Sequence, residues 1–262
     1  MTSTYHASLR VAQGTGIKTR AAAAGIVAPQ VGDFDLFDKT DLQRVYEFAE
    51  GSGPVVNDGY KDTRAPLPAN AAFDATGVTF SAGTAGQLDT GIAVGSSFDL
   101  YMLAKVGAWT TQMFGPGRYA GASGVDSSGA TVSMSVSGGL GSFQLNLYNA
   151  GGQNLVYVNE PTAGDLIGVW RVYQVSVAAD GTAHVAVDGV QGKNASVDPM
   201  VPYDQTDHPN YFFGSAGTPG GDLSVAWAQL YTTPLSALER AKAIAFLRKT
   251  VAPARGITIG AA

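Results

Sequence analysis

"DLIGVWRVYQVSVAADGTAHVAVDGV", residues 165–190, reads as a β-hairpin. Trp170 stands at its entry, Ala179-Asp180-Gly181 at its bend and Val187-Asp188-Gly189 at its exit. In the first strand Tyr173, Val175 and Val177 share one face, led by Arg171, while Gln174 and Ser176 point the other way. After the bend, Ala183, Val185 and Val187 alternate with His184, Ala186 and Asp188. A period of two with one apolar face predicts strands half buried against another sheet. Trp170 would anchor the entry to that core. His184 falls on the less apolar face, as an ordinary solvent-facing histidine.

Working outward, the same grammar recurs. "GVTF", "SFDLYMLAKV", "ATVSMSVSG", "SFQLNLYN", "NLVYVNE", "WRVYQVSVA", "AHVAVDG" and "LSVAWAQLYT" are short apolar or alternating runs separated by Gly, Asp, Asn and Ser. Such regular spacing predicts a β-sandwich. The 262 residues include 34 glycines, which favours many tight turns over long helices. A chain of this length can bury a sizeable core. No repeat with a fixed period appears, and no apolar run approaches the ~20 residues of a membrane-spanning helix. The chain has no cysteine, which excludes disulfides and thiolate metal sites.

One helix is signalled, at "TPLSALERAKAIAFLRKTVAP". Ser236 and Glu239 have the capping-box spacing, in which each side chain satisfies a backbone N–H at the helix start. Leu238, Ala241, Ile244, Leu247 and Val251 form a stripe near the helical period, Lys and Arg crowd the C-terminal end, and Pro253 stops the run.

Charge is unevenly placed. Residues 1–32 contain Arg10, Lys18 and Arg20 and no acid, and no acid follows Glu239. Between 33 and 239 stand eight basic and twenty-one acidic residues, a net charge of −13. A body this acidic argues against nucleic acid as the main ligand. The segment "IKTRAAAAGIVAPQ" is read as an ordinary small-residue stretch rather than a cleaved leader.

Three stretches together resemble the laminin-G-like branch of the concanavalin A-like lectin/glucanase jelly rolls, of the kind found in phage virion proteins. "RVYEFAEGSGPVVNDGY" is similar to the opening strand and its continuation. "GVWRVYQVSVAADGTAHVAVDGV" is similar to the central hairpin. "VAWAQLYTTPLSALERAKAIAFLRK" is similar to the closing strand and helix. The resemblance implies an all-β fold, a two-sheet antiparallel jelly-roll sandwich of about a dozen strands, with a C-terminal helix packed on it. It frames residues 41–252, leaving 1–40 as an N-terminal arm or attachment segment and 253–262 as a C-terminal tail.

Chemistry of the glucanase kind needs two carboxyls set about the scissile bond. The four glutamates are Glu47, Glu50, Glu160 and Glu239, and none matches the glucanase cluster. Glu47 and Glu50, three apart, would point to opposite faces of a strand. His6, His184 and His208 stand in no nucleophile motif, and no phosphate loop is present. The expectation is no enzyme and no organic cofactor. "SVDPMVPYDQTDHPN" gathers Asp198, Asp204, Asp207, His208 and Asn210 among three prolines. It suits either turn chemistry or a Ca²⁺ site, and many laminin-G-like domains use a rim calcium. In "PNYFFG", Tyr211 and Phe212 are candidates to stack on a sugar, or begin a core strand as Phe213 does.

Three function classes follow: a virion structural or decoration protein in a head or tail, a carbohydrate-binding module, and a degenerate hydrolase. The expectation is the first. Phage proteins are made in the host cytoplasm and need no leader. A basic arm carrying Arg10, Lys18 and Arg20 ahead of an acidic lectin-like body suits attachment to other virion proteins. The remaining expectations are a homo-oligomer and possible contact with a surface glycan, without nucleic acid or membrane insertion.

Overall fold

Trp170–Val177 and Ala183–Val187 form the expected antiparallel hairpin, in register from Tyr173↔Val187 to Val177↔Ala183. At the bend Gly181 takes a φ of 89° and donates its N–H to the Ala178 carbonyl at 2.9 Å. At the exit Asp188 and Gly189 both lie in the left-handed region, at 52° and 91°. That pairing is what a two-residue hairpin loop of matching twist requires, and Asp-Gly supplies it at little steric cost.

The computed structural model describes residues 42–53, 55–56, 64–83, 86–107, 111–115, 129–137, 140–149, 152–194, 210–215 and 221–260. In chain order the first strands are β1 (Leu42–Tyr46), β2 (Val55–Val56), β3 (Arg64–Ala65), β4 (Ala71–Phe73), β5 (Val78–Phe80) and β6 (Gly86–Ala93). Next come β7 (Phe98–Val106), β8 (Thr111–Gly115), β9 (Gly129–Ser137), β10 (Leu140–Asn149) and β11 (Gly152–Asn159). A single helical turn α1 (Glu160–Ala163) precedes the hairpin strands β12 (Trp170–Val177) and β13 (Ala183–Val187). The rest are β14 (Val190–Gln191), β15 (Lys193–Asn194), β16 (Asn210–Ser215) and β17 (Leu223–Tyr231). Helix α2 (Ala237–Phe246) runs through a π-helical turn, Leu247–Val251, into α3 (Ala252–Ala254).

Among the described residues the strands form two large antiparallel sheets. The eight-stranded sheet runs β14-β13-β12-β7-β17-β5-β4, with β1 added beside β17. A register shift between Val225 and Trp227 divides β17, so that β5 pairs its first half and β1 its second. The seven-stranded sheet runs β15-β11-β10-β9-β8-β16-β6. Between them lies the main core, where Tyr173, Val175 and Val177 face Phe143, Leu145 and Val158. This is the two-sheet jelly-roll sandwich with a packed C-terminal helix that the sequence predicts. The eight quoted runs are all strands.

The outer face of the eight-stranded sheet departs from expectation. All eight residues of β12 are buried, not every second one. A second core explains this, with Trp170, Val172 and Leu103 covered by Phe246, Leu247 and Val251. Trp170 therefore anchors the hairpin to the helix layer rather than to the space between the sheets. Helix α2 docks by only part of the expected stripe: Leu247 and Val251 are buried and Ile244 packs against the second core, but the first turns differ. Leu238 is 66% exposed and Ala241 is exposed, whereas Ala243, Phe246 and Leu247 are buried. Phe246 sets its ring edge-on to Trp227, with centroids 5.6 Å apart. The Ser236 hydroxyl accepts the Glu239 N–H at 3.2 Å, but the Glu239 carboxylate turns to Lys242 at 2.7 Å instead of completing the box.

The segment set apart as a tail belongs to the domain over 253–260. Arg255 and Ile257 are buried, Ile259 bridges to Trp170, and the Gly260 N–H reaches the Trp170 carbonyl at 3.1 Å. Arg255 donates to the carbonyls of Thr76 and Glu47 and lies over the Trp227 ring. Residues 1–40, with Arg10, Lys18 and Arg20, lie outside the described residues.

Candidate functional site

The outward face of the seven-stranded sheet follows from alternation. On β9, Val132 and Met134 enter the core while Ser133 and Ser135 point away. On β10, Phe143, Leu145 and Leu147 enter while Ser142, Gln144 and Asn146 point away. On β11, Val156 and Val158 enter while Leu155, Tyr157 and Asn159 point away. Register joins these into rows across the strands. Lys193 stands opposite Tyr157, Tyr157 opposite Gln144, and Gln144 opposite Ser133. A parallel row holds Asn159, Ser142 and Ser135. Side chains directly opposite in an antiparallel pair sit ~5 Å apart, and neighbouring strands ~4.8 Å apart, so the Lys193 row covers roughly 15 Å.

Lys193 apart, the chemistry of these two rows is neutral and hydrogen-bonding. Ser133 and Asn146 are nearly buried at 6% exposure each, and Ser142, Gln144, Tyr157 and Asn159 are half-buried. Gln144 Nε2 donates to Ser142 Oγ at 3.4 Å, which ties the amide to its neighbour along the strand. Amides and hydroxyls both donate and accept. Tyr157 adds a ring with a polar tip.

At the edge of this face the row ends in a notch of about 30 Å³, lined by Tyr157, Asn159, Thr162, Gln191, Gly192 and Lys193. Gly192 is where the chain passes from β14, in one sheet, to β15, in the other. A Cβ there would lie 2.5 Å from the Tyr157 carbonyl oxygen and 2.6 Å from Val185 Cγ2, so this crossing admits only glycine. Thr162 Oγ1 donates to Asn159 Oδ1 at 3.0 Å and fixes the wall of the notch. Lys193 is exposed and makes no ion pair among the described residues.

A second polar cluster lies under the helix and is closed. Gln174, Tyr101 and Gln229 form one cross-strand row, and Ser176, Asp99 and Tyr231 the next. All six are buried. Asp99 Oδ2 accepts the Leu235 N–H at 2.9 Å and the Tyr101 hydroxyl at 3.0 Å, and Gln174 Nε2 donates to the Tyr101 oxygen at 3.2 Å. Burial pushes the Asp99 carboxyl up to about 7, outweighing these donors and the charge of Arg240. This cluster holds the loop before the helix against the sheet, which is a structural role.

The candidate residues of the sequence fall in different places. Asp198, Asp204, Asp207 and His208 lie outside the described residues; Asn210 opens β16 and donates to Asp89 Oδ2 at 3.2 Å. Among the described residues no group of three His, Cys, Asp or Glu could hold a metal ion. Tyr211 is not a surface platform: it is 1% exposed, stacked on Phe114 at 5.4 Å. Its hydroxyl accepts the Gly95 N–H at 3.1 Å. The odd positions of β16 face the core, so Tyr211 packs inward with Phe213. Phe212 points outward, half-buried, on the same sheet face as Tyr157. His184 is exposed on β13.

The glutamates are dispersed. Glu47 and Glu50 follow β1 rather than standing on it. Glu160 Oε1 accepts the N–H groups of Leu166 and Ile167 at 3.0 and 3.3 Å. Burial alone would raise its carboxyl, but the backbone donors of Leu166, Gly141 and Ile167 outweigh that and hold it below the ordinary value. The Tyr157–Gln144–Ser133 row was written in the sequence as alternate polar residues of "ATVSMSVSG", "SFQLNLYN" and "NLVYVNE". Strand register, absent from the sequence, assembles them.

No family model matches the chain, and no curated protein matches it in sequence. Solved structures do share the fold. Trypanosoma rangeli sialidase in complex with sialic acid aligns with TM-score 0.52 and 17% identity over 81% of this chain and 34% of that one. The botulinum neurotoxin serotype D ligand binding domain in complex with N-acetylneuraminic acid aligns with TM-score 0.51 and 10% identity, covering 78% of this chain and 50% of the other. The binding domain of Paraclostridial Mosquitocidal Protein 1 gives 0.53 and 10%, covering 79% and 52%. The chain thus spans a third to a half of these structures, and the likeness is one of fold.

Proposed function

We propose that this chain is a non-enzymatic structural or decoration protein of a phage virion, a head or tail appendage that displays a lectin-like jelly roll to surface glycans. The observation that carries the glycan part is the cross-strand row of Lys193, Tyr157, Gln144 and Ser133, in which Lys193 is the one charged group. Sugars are recognised by amides and hydroxyls that match their hydroxyl groups, with an aromatic ring against the C–H face. Two of the fold neighbours were captured with sialic acid, which supports a saccharide as the ligand class. The virion part rests on the laminin-G-like sequence resemblance and on a basic arm ahead of an acidic body. In this reading the arm meets other virion proteins, the protein is a homo-oligomer made in the host cytoplasm, and nucleic acid is not a partner. The non-enzymatic reading is supported by the engagement of Glu160 with backbone donors and of Glu239 with Lys242, on separate elements.

The same face favours a second reading, a carbohydrate-binding module with no virion role. Two measurements separate the readings. Mass spectrometry of purified particles detects the chain in the first and not in the second. Glycan-array binding that is lost in Tyr157→Ala supports both; an array without signal for the wild type removes the glycan from either. Release of reducing sugar from a polysaccharide would overturn the non-enzymatic assignment.

A further inference from the structure

We infer that the notch at the sheet edge selects saccharides bearing a carboxylate, with the acid group seated at Lys193 and the neutral sugars running inward along the row. The inference rests on the glycan-binding reading above and adds the class of ligand.

The argument begins with charge. Residues 41–260, the strands with the docked helix and C-terminal segment, carry eighteen acidic and twelve basic residues, a net of −6, so an anionic ligand approaching at random is repelled. The outward row of the seven-stranded sheet nevertheless ends in a lysine, Lys193, directly across from Tyr157. Within the notch the groups facing it are uncharged: the Tyr157 phenol, the Asn159 and Gln191 amides and the Thr162 hydroxyl. A cation surrounded by neutral donors, and unpaired among the described residues, has charge left over for a ligand.

Geometry sets the order of the contacts. Strand β15 is the edge of the sheet, so Lys193 ends the row and Ser133, three strands in, continues it. A saccharide lying across the strands would place one end group at Lys193 and its next rings over Tyr157 and Gln144. Gly192 leaves the wall beside Tyr157 without a side chain. Bound this way, a carboxylate gains a charge-assisted hydrogen bond from the ammonium and neutral donors from the amides. A methyl ester of the same sugar keeps the shape and loses the charge.

The test uses matched pairs of oligosaccharides, sialyl-terminated and uronyl-terminated, each as the free acid and as its methyl ester. Affinities are measured by isothermal titration on the full chain at low salt. The wild type is expected to prefer at least one acid over its ester by about tenfold, the scale of one charge-assisted hydrogen bond. That preference should shrink at high salt. In Lys193→Gln the acid-to-ester ratio should fall to near one, with the melting temperature of the wild type. Equal binding of acid and ester by the wild type, or a preference that survives Lys193→Gln, overturns this inference while leaving glycan binding in place. If every acid and every ester fails to bind, the glycan-binding reading fails together with it.

Discussion

Asp188 shows how one residue can serve backbone and side chain together. Its φ of 52° makes the turn from β13 to β14. Its carboxylate, 1% exposed, accepts the Val172 N–H at 3.1 Å and pairs with Arg171 at 3.0 Å and with Arg248 of the π-helical turn. Arg171 in turn donates to the carbonyls of Asp165 and Gly260. The hairpin, the helix and the last residues are thus fastened at one point. Asp188→Asn tests the charge alone, because asparagine tolerates the left-handed region. It would leave Arg171 buried without its counter-ion, and we expect a loss of about 3–5 kcal/mol in urea unfolding. Arg248 is 32% exposed at its side chain, so Arg248→Gln should cost much less. Asp99 yields a pH prediction. Its folded value of about 7 lies above the ordinary 3.8, so between those values the folded state holds a proton that the unfolded state has released. Asp99 therefore makes stability fall as pH rises from about 4 to about 7. Denaturant unfolding at pH 5 and pH 7 should show a smaller drop in Asp99→Asn than in the wild type. An equal or larger drop in the variant would refute the assignment.

At the scale of elements, the strands and turns of the hairpin were legible, its burial was not, and the helix was legible only in part. The hairpin's two turns need left-handed backbone at fixed positions, and Asp180-Gly181 and Asp188-Gly189 announce it. The helix start was equally plain in Ser236. Its buried face was not, because an alanine-rich helix offers more than one plausible stripe. Phe246 decides between them by packing on Trp227, and the π-helical turn Leu247–Val251 shifts the later positions around the axis. Exposure of β12 was misread for a related reason. Gln174 and Ser176 look solvent-facing, but polarity in a strand does not reveal whether another layer covers it. The contrast can be measured with two leucines nine residues apart. Leu247→Ala should cost 2–5 kcal/mol, as for a buried leucine. Leu238→Ala, at 66% exposure, should stay within about 0.5 kcal/mol of the wild type. Equal thermal shifts for the two variants would show that the helix does not dock by the Phe246–Leu247 face.

At the scale of the whole molecule, the sandwich could be read from the sequence and the candidate site could not. Alternation marks which residues leave the core, but the row from Lys193 to Ser133 joins four strands through pairings that sequence spacing does not encode. The ends of the chain posed the same difficulty, since a short run such as "ARGITIG" has too little pattern to show that it docks. Two truncations put the ends on different footings. Removing 253–262 takes away Arg255, which ties the Thr76 and Glu47 carbonyls together over Trp227, and Ile257 from the second core. It also removes the Gly260 carbonyl that Arg171 uses. Loss of a buried Ile side chain alone costs about 2–5 kcal/mol, so this truncation should lower the melting temperature sharply or leave the chain insoluble. Removing 1–32 takes away the acid-free segment with Arg10, Lys18 and Arg20, all of it upstream of β1. If that segment is the attachment arm, the shortened protein should melt at nearly the wild-type temperature yet fail to co-sediment with particles or oligomers. A shortened protein that assembles normally would refute the attachment role. One that melts much earlier would show instead that the arm covers part of the sandwich.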